Sequence, residues 1–124
     1  MSGIAMPEPD RAILADRDRI VAALREIVPG EGVISTREEL RAYECDALSA
    51  YRWIPLAVVL PATVEQVSQV LRLCDREGVK VVPRGAGTSL SGGALPVTDG
   101  IVLAMGKFNR ILEIDFENRC VVTQ

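Results

Sequence analysis

Val81 to Gly100 reads VVPRGAGTSLSGGALPVTDG, with five of the chain's ten glycines and only two charges, Arg84 and Asp99. Glycine reaches positive φ readily and leaves no Cβ between backbone and ligand. A run of such residues therefore lets successive N–H groups turn inward as a nest for phosphate oxygens. Thr88, Ser89 and Ser91 add hydroxyl donors. Such a loop suits a pyrophosphate. A plain Gly/Ser connector between strands has the same composition, and spacing alone does not separate the two. Arg84, judged by residue type, reads as a solvated surface charge.

Position rules out two familiar phosphate loops. Gly85 and Gly87 have G-x-G spacing, but Leu90 stands where a dinucleotide fingerprint needs its third glycine, and Pro96 and Gly100 interrupt any following helix. A P-loop needs Gly-Lys-Ser/Thr at its end, and the next lysine along the chain, Lys107, lies past the next strand. The chain has no histidine, so a Ser/His or Cys/His nucleophile pair cannot be built from these residues, and a metal site would rest on carboxylates alone. Cys45, Cys74 and Cys120 form no CxxC pair and read as small buried hydrophobes. No catalytic residue and no metal ligand is assigned.

The elements that must present the loop follow from periodicity. Asp10 to Val28 predicts an amphipathic helix, with Ile13, Ile20, Leu24 and Ile27 or Val28 at helical spacing and Pro29-Gly30 as its stop. STREELRAYEC predicts a shorter helix capped by Thr36, with Glu39 returning a bond to the cap's own N–H. DALSAYRWIP has no period and reads as an extended connection. LAVVLP is then a strand, Thr63 caps a helix that ends at Gly78, and VKVVP is a second strand, which completes a βαβ unit. GIVLAM is a further buried strand. RILEIDFENRCVVTQ predicts a hairpin that turns near Glu117-Asn118, with Leu112, Ile114 and Phe116 on one face and Glu113, Asp115 and Glu117 on the other. The fold class is α+β: a helical arm over 1–52, then over 53–124 a βαβ unit, a Gly-rich loop and a β-hairpin, with the boundary between Tyr51 and Pro55.

At 124 residues, 48% hydrophobic and 25% charged, the chain is the size and composition of one globular domain. A net charge of −3 offers nucleic acid no electrostatic support. The longest apolar runs are far short of the ~20 residues of a membrane span. The opening MSGIAMPEPDR lacks the basic start and apolar core of a signal peptide, and a cytoplasmic location is expected. The apolar strand Cys120 to Gln124 has no evident cover, which predicts self-association or completion by a partner or further chain.

The stretch VVPRGAGTSLSGGALP resembles the pyrophosphate-binding loop of the vanillyl-alcohol oxidase / p-cresol methylhydroxylase class of FAD domains. From YECDALSAYRWIPLAVVLP through TVEQVSQVLRLC to GIVLAMGKFNRILEID, the chain resembles the N-terminal part of the FAD-linked subunit of glycolate oxidase and of the D-lactate and D-2-hydroxyglutarate dehydrogenases. The resemblance covers Glu31 to Gln124. It implies that Pro83 and Arg84 begin the loop and that Gly85, Ala86, Gly87, Thr88 and Ser89 wrap the FAD pyrophosphate. Gly92 and Gly93 would let the chain pass close to the cofactor. Relatives that attach flavin covalently here carry histidine in the pattern R-G-G-G-H; this chain has Thr88 at that position, so the FAD is expected to be non-covalent.

The same resemblance implies an oxidoreductase acting on the CH–OH group of a small 2-hydroxy acid of the glycolate or D-lactate type, with other glycolate oxidase subunits as partners. The residues that would meet that acid belong to parts of the family pattern beyond Gln124. The 124 residues are therefore expected to be the first portion of a flavin domain, inactive alone and weak in binding FAD. The alternative is a stand-alone, non-catalytic nucleotide-binding or assembly module.

Overall fold

The structure, a computed structural model, describes residues 6–124. The chain is mixed α+β, as its patterns predict. The first helical stretch is not continuous: α1 (Arg11–Ala15) and α2 (Arg17–Ile27) are separated at Asp16, whose φ of −89° and ψ of 7° leave the helical range. Asp10 caps α1 by accepting the Ala12 N–H at 2.8 Å. The break at Asp16 lets Arg17 reach inward, where its Nε donates to the Leu56 carbonyl at 3.2 Å and its Nη2 to the Ser35 carbonyl. Helical periodicity cannot register a contact made 39 residues away in sequence.

A two-residue strand with no sequence signal, β1 (Val33–Ile34), precedes α3 (Arg37–Leu40), which tightens into a 3₁₀ turn over Arg41–Tyr43. Here Thr36 bonds the Glu39 carboxylate and does not cap a backbone N–H, contrary to the expected capping box. The connection to Pro55 is irregular, as read.

β2 (Ala57–Val59) leads into α4 (Val64–Glu77), the best-signalled element of the chain. Thr63 accepts the Gln66 N–H at 3.2 Å, and Gln66 reaches back to the Ala62 N–H at 2.7 Å. Gly78 closes the helix at φ 70°, a left-handed turn that glycine takes without strain. β3 (Lys80–Arg84) and β4 (Gly100–Ala104) follow. The sheet order is β1-β2-β4-β3, with β2, β4 and β3 parallel and β1 antiparallel to β2. The βαβ unit therefore skips one position, and β4 fills the gap.

Alternation along the parallel strands divides the core. Ala57, Val59, Ile101 and Leu103 pack with Ile20, Val21 and Leu24 of α2 and Val70, Leu73 and Cys74 of α4. Val58, Val102 and Ala104 face the other way onto Leu40, with Ile34, Tyr43, Ile54 and Leu60 around them. Both faces are covered, and β4 is buried along its whole length, the usual circumstance of parallel strands. Asp99, 3% exposed, accepts the Lys80 ammonium at 2.5 Å and the Asp10 N–H at 2.8 Å, tying the start of α1 to the end of the sheet.

β5 (Ile111–Asp115) and β6 (Cys120–Thr123) form a separate antiparallel pair. The turn is where expected, held by the Asp115 carboxylate accepting the Asn118 N–H at 3.0 Å. The clean alternation is not kept: the register shifts between Ile111 and Glu113, so Leu112 falls at an irregularity, and Phe116 lies in the turn.

Candidate functional site

β3 is the edge strand of its sheet, and this is why it tolerates Pro83, which has no N–H to donate to a second neighbour. Its last carbonyl, on Arg84, accepts the Met105 N–H at 2.9 Å. The chain then leaves the sheet at the carboxyl ends of the parallel strands, the end where open α/β sheets bind ligands.

Gly85 to Gly93 has no regular structure. Two of its glycines are required by conformation, Gly87 at φ 72° and Gly92 at φ 78°. Gly87 also sits against the Arg84 guanidinium, where a Cβ would stand 2.7 Å from Cζ and the arginine would have to move. At Gly85 the opposite holds: no atom of the chain lies within 4 Å of where its Cβ would be, so the missing side chain leaves open room. Ala86 and Thr88 are exposed and Pro83 faces solvent, while Ser89 is half-buried with its Oγ accepting the Gly93 N–H at 3.1 Å. Leu90 projects outward, 76% exposed.

Among the described residues, no internal hydrogen bond uses the N–H groups of Gly85 through Gly92, eight in a row. None of these residues is buried, so water can satisfy the donors and a ligand can replace that water. The nearest cation is Arg84. Its guanidinium does not project into solvent as residue type alone would have it. It is half-buried beneath Gly87, donating from Nη1 to the Cys45 carbonyl at 2.8 Å and lying 5.5 Å from the centre of the Tyr43 ring. It places one positive charge under the loop. The carboxylate nearest the loop, Asp46, has both oxygens engaged by the Leu48 and Ala94 N–H groups, at 2.9 and 3.3 Å.

All nine residues singled out in the sequence, Pro83, Arg84, Gly85, Ala86, Gly87, Thr88, Ser89, Gly92 and Gly93, are thus on one edge of the sheet, in its last strand and the loop that follows. Tyr43, Cys45 and Asp46 also reach this place and were not singled out. Their signal was the stretch YECDALSAYR, which contains all three and carried part of the resemblance. A cleft of about 270 Å³ beside the loop is lined in part by Leu48, Tyr51, Gly92 and Leu95. The chemistry on offer is anion binding by backbone amides, which fits a diphosphate. No helix among the described residues is long and apolar enough to cross a membrane.

Comparison with known proteins bears on this geometry. Glycolate oxidase subunit GlcD of Escherichia coli (strain K12) is 55% identical over 100 residues, 81% of this chain and 20% of that protein. GlcD of Bacillus subtilis (strain 168) is 42% identical over 82 residues, 66% of this chain and 17% of that protein. The mitochondrial D-2-hydroxyglutarate dehydrogenase of Arabidopsis thaliana is 34% identical over 95 residues, 77% of this chain and 17% of that protein. The chain spans about a fifth of the length of these relatives. In fold it matches p-cresol methylhydroxylase with substrate bound, at a TM-score of 0.70 and 24% identity over 86% of this chain and 21% of that one. It also matches alkyldihydroxyacetonephosphate synthase, at 0.73 and 18% identity over 98% and 26%. A family profile described as "FAD binding domain" matches residues 55–124. That match opens two residues ahead of β2 and takes in the parallel sheet, the glycine loop and the hairpin, more than half of the chain, which therefore belongs to the FAD binding domain family.

Proposed function

We propose that the loop Gly85–Gly93 holds the pyrophosphate of non-covalently bound FAD. The observation that carries this reading is the run of eight N–H groups without a partner among the described residues, above a single half-buried guanidinium. Thr88 and Ser89 would supply hydroxyls, and the open space at Gly85 would allow close approach. On this reading residues 1–52 act as an arm and 53–124 as the first portion of the flavin domain. The protein to which they belong oxidises the CH–OH group of a small 2-hydroxy acid; the names of the relatives, glycolate oxidase and D-2-hydroxyglutarate dehydrogenase, support that class. Bound FAD supplies a two-electron acceptor, and this chain's residues bind and orient it. Other oxidase subunits are the proposed partners. Three free thiols support a reducing, cytoplasmic setting.

Titration of the chain with FAD, ADP and riboflavin tests the loop. FAD and ADP should compete for one weak site, and riboflavin, which lacks phosphate, should not enter it. Gly87→Val should weaken FAD and ADP at least ~10-fold, since φ 72° strains any β-branched side chain and its Cβ would displace the Arg84 guanidinium. Riboflavin binding as well as FAD, or an indifferent Gly87→Val, would remove the pyrophosphate reading. Acid precipitation of a flavin-loaded sample should leave the flavin in solution if attachment is non-covalent.

A second reading, an assembly module that offers a strand edge, is favoured by the bare β5–β6 pair. Light scattering that shows no association at high concentration would count against it.

A further inference from the structure

Two adjacent residues of the irregular connection touch the glycine loop at both of its ends. The Cys45 carbonyl accepts Arg84 Nη1 at 2.8 Å, and Arg84 is the residue immediately before the loop. The Asp46 carboxylate accepts the N–H of Ala94, the residue immediately after it, at 3.3 Å. These contacts join positions 39 and 48 residues apart in sequence. Asp46 is 6% exposed, and its other oxygen accepts the Leu48 N–H at 2.9 Å. Tyr43 stacks under the same Arg84, and the Leu48 side chain stands 3.6 Å from where a Gly92 Cβ would be.

Within the loop itself the bonds are few: Gly93 N–H to Ser89 Oγ, and the turn from Leu95 N–H to the Gly92 carbonyl at 3.2 Å. A nine-residue span with four glycines has much backbone freedom to lose on ordering, so its shape must be imposed from its ends. A buried carboxylate in turn requires donors, and among the described residues only backbone N–H groups reach this one.

We propose that Cys45–Asp46 is a clamp across the mouth of the pyrophosphate loop, with Asp46 as its positioning residue. The clamp sets the distance between Arg84 and Ala94 and so holds the unpartnered N–H groups in one concave arrangement. Binding of the phosphate portion of FAD then depends on residues that precede the family match at 55, in a segment whose sequence reads as a connector. This inference rests on the FAD reading of the loop.

The test uses the full chain and the variants Asp46→Ala, Asp46→Asn and Arg84→Lys, with Asp99→Asn as a buried carboxylate remote from the loop. Two readouts are followed: the dissociation constants of FAD and ADP, and native-state hydrogen exchange of individual amides. Asp46→Ala should raise both constants about tenfold. It should speed exchange at the Ala94 amide by at least as much and leave Val58 and Val102 in the sheet unchanged. Asp46→Asn, which keeps one carbonyl acceptor, should recover part of both losses and carries the test if the alanine variant does not fold. Arg84→Lys should weaken ADP, and Asp99→Asn should leave ADP binding alone.

Unchanged exchange at Ala94 in Asp46→Ala overturns the clamp. So does a rise shared equally by Val102, which would mark a general loss of stability, or a freed Ala94 with unaltered affinity for ADP. If the unaltered chain binds neither FAD nor ADP, the FAD reading fails instead, and the clamp stands or falls on selective exchange at Ala94.

Discussion

The strands of the two sheets are similarly apolar in composition and end in opposite circumstances. Ile101, Val102 and Leu103 of β4 are enclosed by parallel neighbours on both edges, by α2 and α4 on one face and by α3 with the connecting segments on the other. Ile111, Leu112, Ile114, Val121 and Val122 of the β5–β6 pair are about half exposed or more, and Phe116 at its turn is 85% exposed. Strand propensity and turn chemistry suffice to write a hairpin, but a two-stranded ribbon has nothing of its own to bury against. Burial comes from topology: α4 exists to carry the chain from β2 to β3 across the face it then covers. Half-buried apolar side chains on a ribbon are a surface that remains to be covered.

The contrast can be probed through the cysteines, where the expected effect is largest. Cys74 is buried between α4 and the sheet, and burial pushes its thiol up to about 11, whereas Cys120 is exposed on β6. A fold stable by ~5 kcal/mol opens its core in fewer than ~1 molecule in 1,000. Alkylation at neutral pH should therefore modify Cys120 more than ~100-fold faster than Cys74, as read by mass spectrometry. Comparable rates would mean that the helical layer does not seal the sheet.

Truncation gives the next largest difference. Ile101→Ala should cost about 2–5 kcal/mol in chemical denaturation, the range for a methyl-rich side chain removed from a closed core. Ile114→Ala on the ribbon should change stability by less than ~0.5 kcal/mol, as exposed positions do. A costly Ile114→Ala would show that the ribbon is already packed in solution.

Thr63→Ala probes the covering helix. It removes the acceptor for the Gln66 N–H and should cost about 1 kcal/mol, while Thr36→Ala should cost less because Thr36 caps no N–H.

Acid gives the smallest effect and again separates the regions. Burial pushes the Asp99 carboxyl up, but the Lys80 ammonium and the Asp10 N–H outweigh it and hold the group below its ordinary 3.8. A carboxylate held low contributes stability that is fully present above its unfolded value and is lost as pH falls through the folded one. The destabilisation caused by Asp99→Asn should therefore be largest above about pH 4 and shrink below it. Asp115 is also held low, chiefly by the Asn118 side chain, but on the exposed ribbon. Asp115→Asn should leave thermal stability unchanged across the same range.

Much of this was legible locally. The caps of α4, the strands around it, the hairpin turn and the glycine loop each depend on residues within four or five positions, which is the reach of helical and turn chemistry. The division of α1 from α2, the strand β1 and the inward turn of Arg84 were not legible. Each is caused by a partner tens of residues away: Leu56 and Ser35 for Arg17, Val58 and Val59 for β1, Cys45 for Arg84. The site divides the same way. Its glycines announce themselves, whereas Cys45 and Asp46 acquire their contacts only when the connector is folded back over the sheet.

By itself the sequence determined the order of the elements, the kind of loop and, through its glycines, the backbone conformations that loop can reach, because these rest on local sterics and periodicity. The tertiary structure alone decided that β4 would enter between β2 and β3 and that a connector would close the mouth of the loop. It alone also left eight N–H groups without a partner among the described residues. Those outcomes depend on which distant surfaces meet, and that is settled by packing the whole chain at once.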